Sequence, residues 1–202
     1  MKPYALSIFF LILTTASLTF AAAQDIQTVF DRANESFNEG QYDKAIKDYN
    51  AVISQYPDLI EAYYNRGMAY YKKNMLDEAI SDLSRVISAR PKQVDALNSR
   101  GLAYLKKGDN ERAADDFTKA IAENPRLVET YYNRGIAYRG MGKHDQAIED
   151  YDKVLSMRPS DTNAYNSRGI AYLGKATADF KRACEMGSQN ACENLKEISG
   201  KK

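Results

Sequence analysis

One interval governs this sequence, a step of 34 residues. Gly67, Gly101, Gly135 and Gly169 stand that step apart, and so do Pro57, Pro91, Pro125 and Pro159, and Ala45, Ala79, Ala113 and Ala147. Around the glycines the same words return: A-Y-Y-N-R-G-M-A-Y at Ala62–Tyr70, A-L-N-S-R-G-L-A-Y at Ala96–Tyr104, T-Y-Y-N-R-G-I-A-Y at Thr130–Tyr138 and A-Y-N-S-R-G-I-A-Y at Ala164–Tyr172. A fixed period of this size marks a stacked array of small units, none of which buries its apolar face alone. A chain built this way folds as a solenoid.

Within a unit the apolar residues fall at helical spacing. Tyr63, Gly67, Tyr70 and Tyr71 share one face, and Ala79, Ile80, Leu83, Val86 and Ile87 share another. Between the two runs stands Asn74, where other units have Gly40, Gly108 and Gly142. Asn and Gly tolerate the left-handed conformation that ends a helix, so this position is a turn. The closing proline cannot continue a helix and disfavours helix just before it. The fold class is therefore all-α: stacked antiparallel helix pairs, with a small residue on each helix where the two backbones approach.

The pattern resembles the tetratricopeptide repeat family. Its signature positions are occupied by Tyr63, Gly67, Tyr70, Ala79, Leu83 and Pro91, then by Leu97, Gly101, Tyr104, Ala113, Phe117 and Pro125, then by Tyr131, Gly135, Tyr138, Ala147, Tyr151 and Pro159. The resemblance implies an α-solenoid wound as a right-handed superhelix, with the first helices lining a concave groove that binds protein segments. On this reading repeats occupy residues 26–59, 60–93, 94–127 and 128–161. The first is the most degenerate, with Ala33 for the Gly and Ser36 for the Tyr, as a terminal repeat facing solvent can be. A shortened fifth repeat spans 162–187, about five residues having been lost at its turn, with Ala176, Phe180 and Ala183 placing a short second helix. A capping helix and tail follow at 188–202.

Residues 1–23 read as a secretory signal peptide: Lys2, an apolar run through Phe20, then Ala21-Ala22-Ala23 as the cleavage site. The alternative is an uncleaved membrane anchor, weakened by Thr14, Thr15, Ser17 and Thr19 in the run. The expectation is export across the inner membrane of a bacterium, to the periplasm, with membrane contact only if the leader stays attached. The formal net charge of the 202 residues is +1, and without Lys2 the acids and bases balance. A nucleic-acid partner, which calls for a basic stripe, is not expected.

The tail A-C-E-M-G-S-Q-N-A-C-E-N-L, Ala183–Leu195, resembles the Sel1-like repeats of exported bacterial proteins. That resemblance places Gly187 at the end of one helix and Ser188 at the start of the next, with Cys184 and Cys192 facing each other across the turn. In an exported chain two such cysteines favour a disulfide stapling the cap, the alternative being two buried thiols.

Two ladders run along the units. Arg32, Arg66, Arg100, Arg134 and Arg168 hold one register, and Asp48, Asp82, Asp116, Asp150 and Asp179 another. Matched numbers favour Arg–carboxylate pairing within or between repeats over a basic ladder for an anionic ligand. The second ladder is the groove. By register on the first helices, and by resemblance to peptide-bound family members, it comprises Phe30, Asn34 and Phe37, then Tyr64, Asn65, Met68 and Tyr71. It continues through Asn98, Leu102 and Leu105, through Tyr132, Asn133, Ile136 and Arg139, and through Asn166 and Ile170. Asn can donate to and accept from a peptide backbone while the apolar residues offer pockets, so the expected ligand is a neutral to apolar protein segment. The alternative is that the Asn side chains satisfy neighbouring helices. Family members that capture chaperone C-termini use a clamp of cations and Asn. Here Asn34 and Asn65 match, but Phe30, Asp95 and Ser99 stand where cations belong.

Chemistry is not expected. Gly169–Ala176, G-I-A-Y-L-G-K-A, approaches a phosphate-binding loop but lacks the hydroxyl residue after Lys175 and a preceding strand. His144, the single histidine, reads as a turn residue, and one His with two Cys makes no zinc site. No catalytic residue, metal, cofactor or small-molecule substrate is assigned. The functional expectation is an adaptor or scaffold that binds protein through its groove. A periplasmic assembly chaperone and a regulatory subunit of an envelope enzyme are the alternatives.

Overall fold

The computed structural model describes residues 26–200, and the leader read at 1–23 lies outside them. Among the described residues all regular structure is α-helix, and no helix is long and apolar enough to cross a membrane. The chain divides into two compact units, one ending at Pro91 and one beginning at Lys92.

The first unit contains α1 (26–38), α2 (Tyr42–Gln55), α3 (Ile60–Lys72) and α4 (Leu76–Ala89). The turns within its two pairs sit on Gly40 and Asn74, with φ of 76° and 62°. Asn74 is the one non-glycine described with positive φ, a conformation that its short polar side chain accepts. In both turns the amide after that residue reaches back to the last helical turn, Gln41 to the Ser36 carbonyl and Met75 to that of Tyr70. This reach-back satisfies carbonyls that the helix end would leave bare. Ala45, Tyr49 and Val52 of α2, and Ala79, Leu83 and Val86 of α4, are fully buried. Ala33, the degenerate small residue of α1, packs with Ala45 and Tyr49, flanked by Phe30 and Phe37.

The second unit contains α5 (Val94–Lys107), α6 (Asn110–Glu123), α7 (Val128–Gly140), α8 (His144–Met157), α9 (Thr162–Glu185) and α10 (Gln189–Gly200). Each helix packs on the next in order, and α10 folds back on α9. Gly108 and Gly142 close the turns with φ of 84° and 72°. Phe117 and Tyr151 fill the centres of the two regular pairs.

The fifth repeat departs from expectation. No turn interrupts α9, which runs unbroken over 24 residues, so there is no separate shortened second helix. The reason is local. Ala176 stands in the register of Gly142, and alanine resists the left-handed conformation that a turn there requires. Gly174 cannot substitute, because it holds the register of Gly140. A Cβ at Gly140 would meet the Asn110 side chain, and one at Gly174 would meet the His144 ring. His144 itself opens α8 rather than lying in the turn, and its ring is set against α9. Beyond α9, Gly187 (φ 96°) makes the next turn and Ser188 Oγ accepts from the Ala191 amide at 3.4 Å, as an N-cap does. Cys184 and Cys192 meet across this turn with Cα atoms 4.8 Å apart, a separation that a disulfide spans.

Candidate protein-binding site

The groove residues expected from the sequence lie on the first helix of each pair, and the Arg–Asp ladder ties each of those helices to the second helix of its repeat. Arg32 donates to Asp48 at 2.7 and 2.8 Å, Arg66 to Asp82 at 2.8 and 2.7 Å, Arg100 to Asp116 at 2.7 and 2.8 Å, and Arg134 to Asp150 at 2.9 and 2.7 Å. Each pair is bidentate and lies within its own repeat, tying the first helix to the second. The hydrogen bond from Arg32 holds the Asp48 carboxyl below the usual range, and the hydrogen bonds that Arg66 and Arg100 donate to Asp82 and Asp116 raise the two guanidiniums. At Asp150 burial wins and pushes the carboxyl up against the pull of Arg134. The guanidiniums are also stacked. Arg66 lies 5.4 and 5.8 Å from the ring centres of Tyr63 and Tyr70, and Arg134 lies 5.6 Å from those of Tyr131 and Tyr138. That stacking follows from Tyr three before and four after the Arg on one helix, a signal legible in the repeats and not used in reading them. The ladder is structural.

Arg168 breaks the series. It reaches Asp152 of α8 at 2.5 Å and not Asp179, which the unbroken α9 carries away from it.

In the first unit, Tyr64, Asn65, Met68 and Tyr71 of α3 are half-buried, as surface-lining residues must be. Asn65 Nδ2 donates to Asn34 Oδ1 at 2.9 Å, and the Tyr49 hydroxyl donates to the same oxygen at 2.7 Å. Burial pushes that hydroxyl up to about 12. These two Asn are thus engaged with each other across α1 and α3, and a ligand would have to share them.

In the second unit, Asn98, Leu102 and Leu105 of α5, and Tyr132, Asn133, Ile136 and Arg139 of α7, are half-buried, while Asn166 and Ile170 of α9 are exposed. Asn98 Oδ1 accepts from the Thr130 hydroxyl at 3.0 Å, and Tyr132 shares a 3.0 Å hydrogen bond with Ser167. Tyr132 and Asn133 line a cavity of about 220 Å³ with Val128, Glu129, Val154, Arg158, Asp161 and Asn163. Arg158 donates to Glu129 at its rim. Arg139 Nε and the Tyr151 hydroxyl are buried with no hydrogen-bond partner among the described residues. The Asn ladder is therefore mixed: Asn34, Asn65 and Asn98 satisfy neighbouring helices, whereas Asn133 borders open space.

No group of His, Cys, Asp and Glu suited to a metal occurs among the described residues, and Gly169–Ala176 is helix. What the fold defines is a repeat scaffold of stacked helix pairs, an α-solenoid of the kind that mediates protein–protein interaction. Family models agree: TPR repeat at residues 33–74, and tetratricopeptide repeat at 64–127 and 128–161. The chain belongs to the tetratricopeptide repeat family. Among solved structures it is similar to a crystal structure of MamA protein, with 28% identity over 89% of this chain and 94% of that one, at a TM-score of 0.73. It is also similar to the first repeat domain of Spaghetti (RPAP3) bound to the HSP90 peptide SRMEEVD, with 26% identity, 58% and 93% coverage and a TM-score of 0.55. A tetratricopeptide repeat protein from Parabacteroides merdae shares the fold at 21% identity, 88% and 75% coverage and a TM-score of 0.72. No curated protein matches the chain.

Proposed function

We propose that the protein is an exported, periplasmic adaptor that docks a neutral to apolar segment of another protein on its first helices. The observation that carries this reading is the half-buried face of α7 that borders the cavity. Asn133 offers both a donor and an acceptor there, beside the apolar Ile136 and the ring of Tyr132. The peptide-bound RPAP3 domain supports a peptide as the kind of ligand. The acidic peptide SRMEEVD of that complex is not the expected kind of ligand, because Phe30, Asp95 and Ser99 stand where a carboxylate-binding clamp calls for cations. Export rests on the leader-like residues 1–23, and the cysteine pair fits it as a disulfide that staples a Sel1-like cap. No catalytic role, cofactor or nucleic-acid partner is assigned.

The test is capture of partners from native envelope extract by the processed protein and by an Asn133→Ala/Ile136→Ala variant. Neither side chain holds a neighbouring helix through a hydrogen bond, and a thermal melt of the variant checks that its fold is kept. A partner captured in fixed ratio and lost in the variant supports an adaptor; many weakly held apolar clients would support the chaperone alternative. A stoichiometric partner held equally by both proteins would remove α7 from the binding surface.

A further inference from the structure

The uninterrupted α9 leaves one face of the last repeat without its second helix. In the other units the small residue of the first helix is covered. A Cβ at Gly67 would lie 3.2 Å from Leu83, one at Gly101 2.7 Å from Phe117, and one at Gly135 2.7 Å from Tyr151, whereas one at Gly169 would meet nothing within 4 Å. The flanking rings say the same. Tyr131 is 8% and Tyr104 7% exposed, while Tyr165 and Tyr172 in the equivalent places on α9 are 51% and 52% exposed. Arg168 likewise lacks the same-repeat aspartate that Arg32, Arg66, Arg100 and Arg134 all hold.

The helix that would fit this face is specified by the four that cover the others. It carries Ala, then Asp three residues on and a large side chain at the fourth, as in Ala113, Asp116 and Phe117. The chain has a fifth such set, Ala176, Asp179 and Phe180, but it lies on α9 itself. Asp179 stands about 16 Å further along the axis than Arg168, so it cannot turn back onto its own face. A second α9 can supply it.

We propose that the protein forms a two-fold dimer in which α9 of a second copy lies antiparallel on α9, taking the place of the missing helix. Phe180 of the second copy covers Gly169, and Asp179 of the second copy pairs with Arg168. The register is self-consistent. Gly101 with Phe117 and Arg100 with Asp116 share one sequence offset, and Gly169 with Phe180 and Arg168 with Asp179 share another. Because both pairs join residues of a single helix, a two-fold axis between the copies makes each contact twice, as an isologous interface requires. The apposed helices overlap along about 30 Å and cover Tyr165, Tyr172 and Leu173.

The test is sedimentation equilibrium of the processed protein over a wide concentration range, with charge reversals. The wild type is expected to be a dimer. Arg168→Asp alone and Asp179→Arg alone each place like charges at both contacts and should weaken the dimer by about tenfold or more. Mixing the two single variants restores opposite charges at both contacts and should recover a heterodimer. Gly169→Leu fills space that is open in the single chain, so it should fold normally and remain monomeric. A wild type monomeric at all concentrations would overturn the proposal. So would a dimer indifferent to these substitutions, or single variants whose mixture stays as weak as each alone.

Discussion

Gly101 on α5 faces the ring of Phe117 on α6 so closely that a methyl group in its place would sit 2.7 Å from Cε1. Phe117 is fully buried and cannot swing away. The close approach is what lets the two helices share a bidentate Arg100–Asp116 pair one residue along. Gly101→Ala should therefore lower unfolding free energy by about 1–3 kcal/mol from overpacking, although alanine favours helix by about 1 kcal/mol. Gly67→Ala, whose nearest contact is 3.2 Å, should cost less. Urea denaturation of both variants checks the ordering, and equal midpoints would mean that the approach is not tight.

The ladder's worth should depend on burial. Arg100 and Asp116 have side chains only 16% and 3% exposed, whereas Arg32 is 50% exposed. Arg100→Ala strands a buried carboxylate and should cost about 3–5 kcal/mol. Arg32→Ala removes a half-exposed partner from Asp48, whose side chain is 10% exposed, and should cost less, about 1–3 kcal/mol. Comparable losses by thermal and urea unfolding would show that burial does not set the strength of these pairs.

Acid should destabilise the protein. Asp48 is held low by Arg32 and Glu129 by Arg158, and Glu61 is held low by its own backbone amide and by Arg90. A carboxyl lowered in the folded state contributes stability above its unfolded pKa and loses it as pH falls through the folded value. Asp150, raised by burial, works in the opposite sense, its contribution being present at low pH and lost as pH rises. With Asp109, held low by its hydrogen bond from Arg112, four lowered carboxyls against one raised predict a melting temperature nearly flat from about pH 8 to 5 and falling below about pH 4. A melting temperature that rises on acidification would show the Asp150 effect to dominate.

Reduction should loosen the C-terminal end and little else. A disulfide closing the short Cys184–Cys192 loop is worth about 2–3 kcal/mol by chain entropy. Hydrogen exchange with and without reductant should show lost protection in α10 and the end of α9, with α5 to α8 unchanged. Protection of α10 that is indifferent to reductant would argue for free thiols.

Much of the architecture was legible in the residues because it is local and repeated. A turn needs one residue that accepts positive φ, and Gly40, Asn74, Gly108 and Gly142 announce themselves at a fixed step. Close helix approach needs a small residue opposite a large one, and that pairing also recurs. The groove was legible only as a register. Asn65 and Asn133 hold the same place on α3 and α7, yet Asn65 is hydrogen-bonded to Asn34, and Asn133 borders a cavity beside Tyr132. Which of these happens depends on what the neighbouring helix presents, and no single window of sequence contains both partners.

By itself the sequence determined the period, the helix pairs, the turn positions and the matched Arg and Asp registers, since each depends on the conformational preference of a few adjacent residues. Tertiary structure decided that each Arg closes on the aspartate of its own repeat, and that Asn34 and Asn98 serve the helices beside them. The end of the array joins the two levels. Ala176 in a turn register keeps the backbone helical, and only the packed molecule reveals the consequence, an α9 that runs on unbroken and leaves Gly169 uncovered. A turn is made by one residue's own dihedral angles, whereas a contact exists only once two distant segments have been placed side by side.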